Sequence, residues 1–188
     1  MRAGWIQKRL GDVCAIGIGK TPSRGHKSYW DTDKATDNVW LSIADLLNGG
    51  GYVVSDSKEY LTDTGASLCK VVKEGTLLAS FKLTLGRLAF AGRDLYTNEA
   101  IASLSIRNEK EISKSYLFHY LSHFDWDGAT GGDVKLKGKT LNKEKLNKIP
   151  VYYPPSIPEQ QRIVTILDQA FEGIAIATAN AEKNIANA

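Results

Sequence analysis

From Val134 to Lys148 the chain sets six lysines (Lys135, Lys137, Lys139, Lys143, Lys145 and Lys148) against a single acid, Glu144. Ammonium groups are compact, hydrated point charges, suited to phosphates more than to base edges. A second cluster, Lys20, Arg24, His26 and Lys27, lies in a stretch rich in Thr, Ser and Gly, and a third, Lys82, Thr84 and Arg87, surrounds Gly86. Loops that present such donors from a rigid sheet can hold phosphates and read base edges. Arg24 and Arg87 are the candidate base readers, because a planar guanidinium can grip guanine bidentately. Lys20, Lys27, Lys82, Lys135, Lys137 and Lys139 are the candidate phosphate contacts; the last three share one side if the backbone there is extended. Basic residues also make up ordinary solvated faces, so charge alone leaves a generic surface open.

Other chemistries find less support. Gly17-Ile18-Gly19-Lys20-Thr21 has the ending of a phosphate-binding loop, but Cys14 stands where its first glycine belongs, and Pro22 follows where a helix must start donating N–H groups. His119 and His123 have the i, i+4 spacing of a zinc pair, yet Tyr120 replaces the general-base glutamate and no third ligand stands out. They read as a surface pair. No Ser/His/Asp or Cys/His constellation is evident, so neither catalysis, a metal nor a cofactor is expected. Cys14 and Cys69 sit alone in apolar surroundings, which fits a reducing cytoplasm better than a disulfide scaffold.

The elements that must carry these residues follow from periodicity. A hydrophobic content of 43% and a charged content of 24% in 188 residues are those of a soluble globular domain with an appendage. No apolar run suits a membrane span, and the first residues lack the apolar stretch of a signal peptide. Residues 5–16 suit a short helix or strand, Gly17–Lys27 a loop, Val39–Ile43 a buried strand and Asn48–Gly51 a turn. Thr76–Phe81, Leu83–Leu85 and Arg87–Ala91 read as a β-meander, and Ala100–Ile106 as a further strand. Tyr116, Leu117, Tyr120, Leu121 and Phe124 share one helical face. The expected class is α+β: a mixed, largely antiparallel sheet with flanking helices, followed by one long C-terminal helix.

That helix has a sharp start. Pro154 and Pro155 stop strand and helix alike, and Ser156 and Glu159 have the spacing of a capping box, with Pro158 tolerated in the first turn. A domain over residues 1–153, its core closing near Ile149, and a helix over residues 154–188 are expected. Ile163, Leu167, Ala170, Ile174, Ala177 and Ala181 alternate spacings of four and three, a heptad seam that calls for a partner helix. From Glu159 onward four acids stand against two bases, so the net charge of +3 divides into −2 there and +5 over the body. A basic body suggests a polyanion, and an acidic helix suggests protein.

An ordered series of segments carries a resemblance. Gly19-Lys20-Thr21-Pro22-Ser23, Tyr29-Trp30, Trp40-Leu41-Ser42-Ile43-Ala44-Asp45-Leu46, Gly75–Ser80, Gly86–Ala89, Thr97-Asn98-Glu99-Ala100-Ile101, Leu146–Pro150 and Glu159-Gln160-Gln161-Arg162-Ile163-Val164 run nearly the whole chain. Together they resemble a type I restriction–modification specificity-subunit domain; the family often has Asn-Gln at the position of Asn98-Glu99. The resemblance implies a DNA target-recognition domain and spacer helix that do no chemistry themselves. In that family the specificity subunit binds a split duplex DNA sequence and positions adenine-methylating (M) subunits, and restriction (R) subunits join for ATP-dependent cleavage. Most members hold two recognition domains; one here implies a half-subunit that pairs with its copy, or a fragment. In a half-subunit, antiparallel pairing of the helices about a two-fold would favour a palindromic target. From residue chemistry alone, a dimeric scaffold whose basic face binds acidic protein and an enzyme with an unrecognised site stay open.

Overall fold

A computed structural model describes residues 4–48, 52–131, 134–135 and 138–187. Its central sheet has five strands in the order β2 (Cys14–Ile18), β9 (Ile101–Ile106), β6 (Leu77–Ser80), β7 (Leu88–Ala91), β4 (Val53–Val54), all antiparallel except β4 with β7. A second sheet sets β3 (Val39–Leu41) between antiparallel β5 (Glu59–Tyr60) and parallel β8 (Tyr96–Thr97). Strand alternation divides the core into two layers. Leu77, Ala79, Ala102 and Leu104 face a cluster completed by helix α4 (Lys114–Ser122), whereas Leu78 and Ile101 face Val39 and Leu41 of the second sheet. The expected α+β architecture is therefore present, with helices over one face of the central sheet and a small sheet over the other.

Several expectations need correcting. Residues 5–16 divide into β1 (Ile6–Arg9), a helical turn α1 (Leu10–Val13) and the start of β2. Leu83–Leu85 is not a strand: the chain between β6 and β7 turns tightly, with Gly86 N–H donating to Ser80 O at 2.9 Å and Leu83 in the left-handed region. Gly86 is required there. Its φ is +75°, and a Cβ would lie 2.4 Å from Trp126 Cδ1. Short helices α2 (Asp45–Asn48) and α3 (Asp63–Ser67) fill the second layer; the glycines after Asn48 lie outside the described residues.

The lysine-rich run folds back on itself. Strands β10 (Val134–Lys135) and β11 (Gly138–Lys139) pair antiparallel, Lys135 opposite Gly138 and Lys139 opposite Val134. One extended face is thus replaced by a two-stranded ribbon, and Lys137 lies outside the described residues. The next three lysines belong to helix α5 (Lys143–Lys148), which Asn142 caps by accepting Lys145 N–H at 2.7 Å.

The core closes past Ile149, because β12 (Pro150–Tyr153) pairs with β1 and buries Val151 and Tyr153 fully. Helix α6 (Ile157–Ala186) leaves after the two prolines, capped by Ser156, whose hydroxyl accepts Glu159 N–H at 3.4 Å. At about 1.5 Å per residue it extends roughly 45 Å. Gln160 pins its first turn. Completely buried, this side chain donates to Glu111 O and Pro154 O and accepts Ser113 N–H, each at 2.9 Å. One turn further, Ile163 packs on the core, and Leu167 lines the groove between α4 and α6. Two seam residues expected to meet a second helix therefore meet this chain's own α4. Ala170, Ile174, Ala177 and Ala181 lie exposed beyond it.

Candidate nucleic-acid interface

Three motif segments meet at one end of the central sheet. Register puts Ile18, the end of β2, opposite Ala102, and Ser80, the end of β6, opposite Ile101. The loops leaving β2 and β6 and the turn entering β9 must therefore lie together. Lys20 N–H donates to Thr97 O at 2.8 Å, Asn98 N–H to Leu41 O at 2.9 Å, and Phe81 N–H to Ala100 O at 3.0 Å. Gly19 is needed at this crossing, since a Cβ would sit 2.2 Å from both the Thr97 and Asn98 carbonyl oxygens. Trp40 Nε1 reaches Lys20 O at 3.1 Å. These contacts explain why Gly-Lys-Thr-Pro, Trp-Leu-Ser and Thr-Asn-Glu-Ala occur together: they are one joint.

Glu99 stands where the three basic clusters converge. It accepts a hydrogen bond from the Thr21 hydroxyl. Burial opposes its ionisation, but that bond and the charges of Lys82 and Arg24 outweigh it and hold the carboxyl below its ordinary range. The second and third clusters thus share one carboxylate. The lysine ribbon joins them, because Lys82 bridges antiparallel to Thr140 and Leu141 N–H donates to Phe81 O at 2.9 Å. Lys20 and Lys27 are exposed, and Lys82 lies beside the Phe81 ring, 5.2 Å from its centroid.

The two arginines are set differently from the sequence expectation. Arg24 is not free to fork onto a guanine: both its Nη atoms bond Glu59, one of them at 3.0 Å, and its guanidinium lies 3.9 Å from the Trp30 centroid and 4.9 Å from that of Trp40. The Glu59 bond raises the guanidinium's pKa. Arg24, Lys27, Trp30, Lys58, Glu59 and Tyr60 line a hollow of about 540 Å³. Arg87 is half-buried in the β6–β7 turn, and its Nε and Nη1 are buried with no hydrogen-bond partner. A bidentate grip by Arg87 requires its side chain to swing outward.

Elsewhere the lysines and histidines serve the fold. Lys145 Nζ donates to Thr130 O, and Lys148 pairs with Glu144 at 2.6 Å one turn away. His119 is not on the surface: it is buried, its Nε2 is 2.9 Å from Asp168 on α6, and Phe171 stacks on both histidine rings. His123 Nδ1 faces His119 O at 3.1 Å. Burial pushes the Cys14 thiol up to about 12 against the nearby Arg107 charge, and burial likewise raises Cys69, so neither is an activated nucleophile.

Residues 3–186 match the profile of the type I restriction modification DNA specificity domain. The chain belongs to this family. It is 28% identical over 170 residues to the type I restriction enzyme MjaIX specificity subunit of Methanocaldococcus jannaschii, covering 87% of this chain and 37% of that one. It is 27% identical over 181 residues to the EcoR124I/EcoR124II specificity subunit of Escherichia coli, covering 86% and 40%. Its fold is shared with the HsdS subunit of Thermoanaerobacter tengcongensis, at TM-score 0.71 and 23% identity over 94% of this chain and 39% of that one. A chain solved in a study of assembly of the type I restriction–modification system has TM-score 0.73 and 23% identity, over 97% and 42%. The chain thus spans about two fifths of the length of the relatives it matches.

Proposed function

We propose that residues 1–153 form a DNA target-recognition domain and residues 154–188 a spacer helix, acting within a specificity subunit that does no chemistry itself. The observation that carries this reading is the junction of Arg24 and Lys82 around Glu99, with the lysine ribbon attached through Thr140. A continuous cationic rim of this kind follows a duplex backbone, and the loops within it can enter a groove. Lys20, Lys27, Lys82, Lys135, Lys137 and Lys139 then hold phosphates. Arg24 and Arg87 read bases only after leaving Glu59 and the β6–β7 turn. The partners are duplex DNA and the methylating and restriction subunits of a type I system, the relatives being specificity subunits, and the cytoplasm is the compartment of such an assembly.

The exposed seam of Ala170, Ile174, Ala177 and Ala181 is proposed to meet a second spacer helix, in a homodimer if the chain works as a half-subunit. Sedimentation at tens of micromolar tests this, and monomer alone would count against it. Mobility shift of random duplex DNA over a salt series tests the DNA reading. Affinity should fall linearly on a log–log plot, and Lys135→Ala should flatten the slope by about 0.9. A chain that retards no duplex at low salt is not a DNA reader, and a dimeric scaffold for acidic protein becomes the better reading.

A further inference from the structure

The turn between β6 and β7 carries a residue that folding alone does not account for. Leu83 stands there 52% exposed, with its backbone at φ +65°. A Cβ in that region crowds the neighbouring carbonyl, so glycine, asparagine and aspartate are the residues that usually enter it. Among the described residues Lys34 is the other non-glycine with positive φ, and its side chain is engaged: Nζ donates to Ser57 O at 2.7 Å over the Tyr60 ring. Leu83 has no comparable seat, yet its conformation is firmly held. Ser80 Oγ donates to Thr84 O, Gly86 N–H to Ser80 O, and Arg87 N–H to Ser80 Oγ. Backbone strain maintained by its surroundings marks a side chain presented for use.

What surrounds Leu83 indicates the use. Lys82 immediately before it lies within the field of Glu99 and bridges to the lysine ribbon, and Arg87 follows on the same turn. An apolar side chain is thus held out from the middle of a cationic face. Among base edges in the major groove, the thymine C5-methyl is the apolar feature. We infer that Leu83 is a specificity-determining residue that packs on the C5-methyl of a thymine in the target. The inference rests on the DNA reading above. Leucine's other apolar role on DNA, a wedge between base steps, is an outcome of the test.

Duplexes enriched from a random-sequence library by the 188-residue chain are remade with deoxyuridine at each thymidine in turn, removing one methyl at a time. Binding is then measured at fixed salt for wild type, Leu83→Ala and Leu83→Gly. Wild type should lose about fourfold at one thymine, the worth of one buried methyl. Both variants should bind the parent duplex more weakly and ignore that exchange. Leu83→Gly, which relieves the left-handed backbone, should melt at or above wild type, separating lost contact from lost fold. Tight wild-type binding with no sensitivity to any missing methyl overturns the inference and leaves the DNA reading standing. So does a uniform loss in Leu83→Ala without methyl sensitivity, the mark of a wedge. A chain that enriches no duplex and retards none overturns the DNA reading itself.

Discussion

Gln160→Ala removes the side chain that fixes the start of α6 to the body. It leaves three backbone groups without their partner: Ser113 N–H, Glu111 C=O and Pro154 C=O, each bonded at 2.9 Å. A buried polar group left unpaired costs about 1–3 kcal/mol. The two carbonyls keep a second lone pair with which to find water, so the lower end applies, about 3 kcal/mol for the three groups. At roughly 2–4 °C per kcal/mol for a chain of this size, the melting midpoint should fall by about 6–12 °C. Gln161 is exposed beside it, and Gln161→Ala should stay within about 0.5 kcal/mol of wild type. Thermal melts of both variants, with limited proteolysis to follow α6, make the comparison. The body should remain folded at room temperature while cleavage near Ile157–Leu167 accelerates. A Gln160→Ala midpoint within about 2 °C of wild type would refute the reasoning, because the three groups would then have found other partners at little cost.

Three further outcomes are expected. Gly86→Ala meets both the Trp126 ring and a φ of +75°, so urea unfolding should show a loss on the order of 2–3 kcal/mol; an unchanged midpoint would mean that Trp126 yields freely. Glu59→Gln removes the carboxylate paired with Arg24 and should strengthen binding to all duplexes while steepening the salt slope by up to about 0.9. Weaker binding would instead make Glu59 a needed support for Arg24. The Glu111 carboxyl is held below its ordinary range by hydrogen bonds from Lys8 and then Tyr153. Its stabilisation is therefore present above the unfolded carboxyl's pKa of about 4.3 and is lost as pH falls through the lower folded value. Glu111→Gln should be less stable than wild type at neutral pH, with the difference shrinking towards pH 3 in a series of urea melts; a pH-independent difference would remove the charge from the explanation.

Elements with a clear local period were readable from sequence. Ile101–Ile106 and the helix bearing Tyr116, Leu117 and Leu121 occur where alternation and i, i+4 spacing put them. Ser156 caps α6 as its spacing with Glu159 indicated. Helix α5 was hidden because lysine suits helix and loop alike; Asn142 as an N-cap three residues before Lys145 was the available signal. Gln160 could have been noticed as an uncharged polar residue on the same helical stripe as Ile163, Val164 and Leu167. Its three partners, at Glu111, Ser113 and Pro154, could not. Nor could the burial of His119, which depends on Asp168 and Phe171 in a helix far along the chain.

Local order and kind of protein were therefore written in the chain itself. The ordered motifs, the proline stop, the cap and the basic bias all follow from short-range spacing, which needs no knowledge of what lies opposite. Long-range pairing alone settled which cations are available and which are engaged. Arg24 is tied to Glu59 and Lys145 to Thr130, while Lys20 and Lys27 stay exposed. The physical reason is that a side chain's charge belongs to its residue type, but its freedom depends on the acceptor that folding brings beside it. The same holds for the seam of α6, whose first two positions are taken by α4 while Ala170, Ile174, Ala177 and Ala181 lie exposed.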